Sequence, residues 1–109
     1  MIYSVDEIKK IVLPVAEKYN LKAVYLFGSY ARGTATEESD IDLLIDTEGS
    51  GIKSLFQLGA VYCDFEEAFG KEIDLITVSS IEQEMQMPSE AYFRNNVIEE
   101  RVELYAEVA

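Results

Sequence analysis

Residues 40–46 read Asp-Ile-Asp-Leu-Leu-Ile-Asp. Successive side chains of a β-strand point to opposite faces. Ile41, Leu43 and Ile45 therefore share one face of a strand over 41–45, and Asp40 and Asp42 take the other. The apolar face needs a packed layer beneath it, while the acids must stay where water or a cation reaches them. Asp46 falls on the face of Asp42 and reads as a strand-end acid.

Other stretches supply the layer. Ser4 and Glu7 have capping-box spacing, and Ile8, Ile11, Val12 and Val15 follow at helical intervals, so a helix is expected over 5–18. Pro14 should kink it, and Asn20 is a natural end. Residues 22–27 are β-rich and make a first strand, followed by a short helix over 29–32 and a polar loop over 33–39. A glycine-containing connection over 47–53 leads to a helical stripe of Leu55, Leu58, Tyr62, Phe65 and Phe69, stopped by Gly70. A third strand spans 72–78. A helical turn is expected over 81–86, and a last helix from Ser89 carries Phe93, Val97, Ile98, Val102 and Tyr105. The order α-β-α-β-α-β-α describes an α/β (α+β) domain with a small mixed sheet flanked by helices. At 109 residues, with no repeat or linker, one domain over 1–109 is expected.

Composition narrows the chemistry. The chain has no histidine, so imidazole acid–base catalysis and imidazole metal ligation are excluded. Cys63 is the single cysteine; no intramolecular disulfide can form, and it reads as a small buried hydrophobe in a helix. Nine Lys and Arg stand against 21 Asp and Glu, a net charge of −12. Such a surface repels phosphate backbones, so extended contact with nucleic acid is not expected. It suits a basic protein partner, and it equally serves solubility. No apolar run approaches a bilayer span and the N-terminus has no signal-peptide pattern, so a cytoplasmic protein is expected.

The acids carry the functional signal. Asp40 and Asp42 lie roughly 7 Å apart along the strand, a spacing from which carboxylates converge on divalent ions about 3.5–4 Å apart. Asp74, in Lys-Glu-Ile-Asp-Leu-Ile-Thr-Val, joins them if the third strand lies beside the second. Magnesium offsets the mutual repulsion of three carboxylates and needs no histidine. Upstream, Gly28 lets the backbone approach a ligand closely, and Ser29 can donate its hydroxyl and amide to a phosphate. The same pair also suits a plain strand-to-helix turn capped by Ser29. Arg32 can grip a triphosphate, brace the acidic loop at Glu37 and Glu38, or meet a partner. Ser39 shapes the turn before Asp40 or touches substrate. Tyr30 is expected at the surface.

Gly28-Ser29, ten residues, Asp40-x-Asp42, then Asp74, together with Ala31-Arg32-Gly33 and the Ser-Asp-x-Asp-Leu run at 39–43, resemble the minimal nucleotidyltransferase family of the DNA polymerase β-like superfamily. The resemblance covers nearly the whole chain. It implies that Gly28, Ser29, Arg32 and Ser39 bind the nucleotide. It implies that Asp40, Asp42 and Asp74 are catalytic and hold two Mg²⁺ ions, or Mn²⁺ in their place, with Asp74 helping to deprotonate the attacking hydroxyl. Members of this kind transfer AMP from ATP to a tyrosine of a HEPN-domain ribonuclease toxin and so act as its antitoxin; the same is expected here, as a hetero-oligomer.

Two alternatives accompany that expectation. One is an antitoxin that neutralises its toxin by binding alone, served by the acidic surface and the apolar C-terminal helix. The other is nucleotidylation of a small molecule such as an aminoglycoside. A template-directed polymerase is disfavoured by the scarcity of basic residues.

Overall fold

The computed structural model describes residues 2–78 and 101–107. Helix α1 (Val5–Lys18) begins at Ser4, whose hydroxyl accepts from the Glu7 amide at 3.1 Å while the Glu7 carboxylate accepts from the Ser4 amide at 2.9 Å. That reciprocal pair satisfies two amides of the helix start. Ile8, Val12, Val15 and Ala16 form its buried stripe. The helix runs through Pro14 as one element. Pro14 and Lys10 are both exposed, so the hydrogen bond that the proline removes falls on the solvent side of the helix. Asn20, with φ of 53°, turns the chain out of the helix as expected.

Strand β1 (Ala23–Phe27) lies inside the sheet, and the short helix α2 (Gly28–Arg32) follows it directly. Strand β2 (Ile41–Asp46) returns antiparallel to β1, with Phe27 opposite Asp42. Helix α3 (Leu55–Phe69) then crosses over to strand β3 (Ile73–Thr77), which runs parallel to β2. A parallel neighbour requires such a crossover. Ser54 caps α3 by a second capping box with Gln57, a signal that the sequence carries at 54–57. Gly70, left-handed at φ of 68°, ends it.

Strand β4 (Val102–Ala106) pairs antiparallel with β1 on its free side, giving the order β3-β2-β1-β4. Here the expected order fails in its last element. Val102 and Tyr105 were placed on a final helix by their three-residue spacing, yet they lie in a strand. Val-Glu-Leu-Tyr-Ala also suits a strand, with Leu104 buried between exposed Glu103 and half-buried Tyr105, and the open edge of β1 satisfies its backbone. The remainder of that helix and the turn over 81–86 lie outside the described residues.

The sheet has two unlike faces. On one, Val24, Leu26, Ile41, Leu43 and Ile45 pack with Ile8 and Val12 of α1 and Val61 and Phe65 of α3. Burying each such side chain contributes roughly 1.5–3 kcal/mol. This fixes the register of β2, because a slip of one residue would turn three aliphatics out and the acids in. The other face carries a small apolar group of Phe27 and Leu44, with Tyr25, Ile76 and Val78 against it. Cys63 departs from expectation: it is exposed on α3, since the buried stripe runs through Val61, Phe65 and Phe69 and turns position 63 outward. Among the described residues no helix is long and apolar enough to cross a membrane.

Candidate active site

The end of β1 and the starts of β2 and β3 meet at one end of the sheet, on the face away from the helical core. Asp42 and Asp74 are direct register partners across the parallel pair β2/β3. The placement follows from pattern: Ile41, Leu43 and Ile73 turn toward the core, so each intervening acid turns away.

Gly28 lies beneath this pair. Its φ is 73°, and a Cβ built on it would overlap Oδ2 of Asp42 and stand 3.0 Å from Cγ. Only a residue without a side chain lets the turn pass so close to the carboxylate. Ser29 follows Gly28 in the first turn of α2, and its carbonyl accepts from the Thr34 amide at 2.9 Å, closing the turn at Gly33. Phe27, at the helix cap position, makes no side-chain cap. Ser29 is therefore inside the helix rather than its N-cap, against the plain-turn alternative in its capped form.

The Asp42 carboxyl is pushed up to about 7. Partial burial is the main cause; a hydrogen bond with Asp74 and the charges of Asp74 and Asp40 add to it, and the Arg32 guanidinium pulls the other way. Beside a second carboxylate, Asp42 therefore gives up its proton less readily than an exposed acid does. Such a pair fits a divalent ion, whose charge would take the proton's place.

Asp40 stands just ahead of β2 and is exposed. Its charge reaches Asp42, yet among the described residues no group of three or more Asp, Glu, Cys or His side chains is disposed to hold a metal. The structure thus brings together two of the three expected acids and leaves the third beside them. Ser39 accepts from the Thr36 amide at 2.9 Å, with its hydroxyl 3.3 Å from that of Thr36. That geometry is the turn-shaping role.

Tyr30 departs from expectation. It is 5% exposed and packs into the main core, with its hydroxyl 3.2 Å from Nζ of Lys71. The tyrosine follows Gly-Ser on a helix whose inner face must be covered, which is the signal that could have placed it.

A four-stranded mixed sheet with a glycine turn and facing strand acids at one end fits the nucleotidyltransferase fold that the sequence pattern resembles. Comparison with known proteins agrees. The sequence profile of the nucleotidyltransferase domain matches residues 8–104. A Methanocaldococcus jannaschii protein provisionally named a protein adenylyltransferase is 42% identical over 78 residues, covering 72% of this chain and 82% of the relative. A chain of a toxin–antitoxin complex with AMP-PNP superposes with a TM-score of 0.67 at 18% identity, covering 91% of this chain and 73% of that one. A chain of a complex of a tri-AMPylated Shewanella oneidensis HEPN toxin with an MNT antitoxin gives 0.62 at 14% identity, over 94% and 73%. At those identities the two structures speak for the fold. The chain belongs to the nucleotidyltransferase domain family, and it is an enzyme of that class.

Proposed function

We propose that this protein transfers AMP from ATP to a hydroxyl of a protein partner, with a tyrosine of a HEPN-domain toxin as the acceptor, and so acts as an antitoxin. The observation that carries the site is the facing pair of Asp42 and Asp74 above Gly28. Support for the acceptor comes from relatives: one is named for protein adenylylation, and one structural neighbour holds an AMPylated HEPN toxin.

Asp42 and Asp74, with Asp40 reaching in from the strand end, would hold Mg²⁺ or Mn²⁺. When bound, the ions would stabilise charge on the attacking and leaving oxygens. The chain's own groups do the rest. Gly28 and the Ser29 hydroxyl and amide receive the triphosphate, and Arg32 offsets its charge on the outer side. Ser39 holds the 36–39 turn so that Asp40 enters β2 in register. The acceptor oxygen attacks the α-phosphorus and bonds to it. The bond from that phosphorus to the bridging oxygen breaks, pyrophosphate leaves, and the hydroxyl proton passes to Asp74 or to water.

The test is to co-purify the chain with its natural partner, add ATP and Mg²⁺, and weigh both proteins. AMP mass on the partner, absent with Asp42→Asn, is the expected result. Undiminished neutralisation of the partner by Asp42→Asn would show that binding alone suffices.

A further inference from the structure

We propose that Tyr30 and Lys71 form a strut that sets the Gly28-Ser29 turn against the strand carrying Asp74, which makes both of them positioning residues for nucleotidyl transfer. The inference rests on the site assigned above. The two limbs of that site come from distant parts of the chain, α2 for the turn and β3 for Asp74. Helix α2 has five residues, begins at Gly28 with φ of 73° and is followed by Gly33 with φ of 78°. So short a helix has no stiffness of its own, and its orientation must come from tertiary contacts.

Tyr30 supplies one. Its ring is buried in the core, and a buried phenol needs a partner for its hydroxyl. Lys71 donates to that hydroxyl at 3.2 Å, with its ammonium 5.4 Å from the ring centroid. Lys71 lies between the Gly70 that ends α3 and the start of β3, three residues before Asp74. Next to it, the Glu72 carbonyl accepts from the Ile41 amide at 3.5 Å, a long bond that ties the start of β2 to this point only weakly. The Tyr30–Lys71 contact is thus a direct side-chain tie between the phosphate turn and the entry to the acid-bearing strand. Its loss leaves every group of the site present and frees the turn to shift. A shift of about 1 Å at reacting groups costs up to about 100-fold in rate.

The test compares Tyr30→Phe, which keeps the ring, Lys71→Met, which keeps the stem, and Lys71→Arg, which keeps a donor. Each of the first two is expected to lower kcat for AMP transfer about tenfold, with KM for ATP changed less than about twofold. Lys71→Arg should stay within about threefold of wild type, and the double variant Tyr30→Phe/Lys71→Met should be no slower than either single one, because both remove the same bond. Hydrogen exchange at the Thr34 amide, which reports the α2 turn through its bond to Ser29, should quicken about tenfold in both single variants. Wild-type kcat in both single variants overturns the strut. So does a fall in kcat that merely tracks a fall in folded fraction, with Lys71→Arg no better than Lys71→Met. If the wild-type protein transfers no AMP, the proposed function falls separately. The exchange rate then decides: faster Thr34 exchange upholds the strut and unchanged exchange overturns it.

Discussion

A side chain on Gly28 would collide with Oδ2 of Asp42. The closeness is set by register. Phe27 pairs with Asp42 across β1 and β2, and the chain then turns at Gly28 under the same carboxylate. The glycine answers two demands at once, a left-handed backbone at φ of 73° and space for an acid. A phosphate seated on this turn would lie beside Asp42 and its partner Asp74.

Gly28→Ala separates those demands when set beside Gly49→Ala. Gly49 also has positive φ, at 76°, but a Cβ there meets nothing within 4 Å. Gly49→Ala should cost about 1–2 kcal/mol from backbone strain alone, and AMP transfer should persist. Gly28→Ala should cost more and abolish transfer, because Asp42 must move. Paired urea melts and activity assays read both.

Asp42 makes stability depend on pH. Its folded value of about 7 lies above the ordinary 3.8, so between those limits the folded chain binds the proton more tightly than the unfolded chain. Metal-free protein should therefore lose stability as pH rises from about 4 to about 7 and level off above. Asp42→Asn should flatten that slope and raise Tm at pH 8. The same variant should lower transfer by at least the roughly 100-fold that loss of a supporting group at a metal site can cost. Binding of Mn²⁺ to wild type at pH 7 should release about half a proton, falling toward none by pH 9, as calorimetry in buffers of different ionisation heat would show.

Ser54 holds the start of α3 far from the acids. Its hydroxyl accepts from the Gln57 amide at 3.1 Å, and the Gln57 side chain accepts from the Ser54 amide at 3.2 Å. Ser54→Ala should cost about 1 kcal/mol, or roughly 4–8 °C in Tm for a domain of this size. Transfer activity measured below the melting range should be unchanged.

Cys63 is exposed on α3. It should react with a thiol reagent in native buffer, one equivalent per chain, without denaturant. Reaction only after unfolding would contradict the orientation of α3.

Short-range pattern was enough for most elements. The capping box at Ser4 and Glu7, the helix ending at Gly70 and the alternation through Asp42 are each written in neighbouring residues, because capping, helix stops and strand alternation are local physics; the stripe expected on that helix holds at Phe65 and Phe69, whereas Leu55 is exposed and Val61 is buried. The pattern of Gly28, Ser29, Asp40, Asp42 and Asp74 also carries the resemblance to nucleotidyltransferases. Helical spacing misled at Val102 and Tyr105, where an unpaired edge of β1 decided in favour of a strand, and apolar neighbours misled at Cys63, because they say nothing of which side of the helix faces in.

The sequence by itself determined the chemistry of the candidate groups: with no histidine, the acids at 40, 42 and 74 are the expected ligands, and the family resemblance put the expected phosphate seat at the Gly28-Ser29 turn. Only the tertiary structure decided which of them meet. Asp42 and Asp74 face each other because β2 and β3 are parallel and in register, and Tyr30 reaches Lys71 because α2 folds onto the core. Those pairings join residues more than thirty positions apart, and such contacts arise from sheet order and packing of the whole chain, which no local pattern encodes.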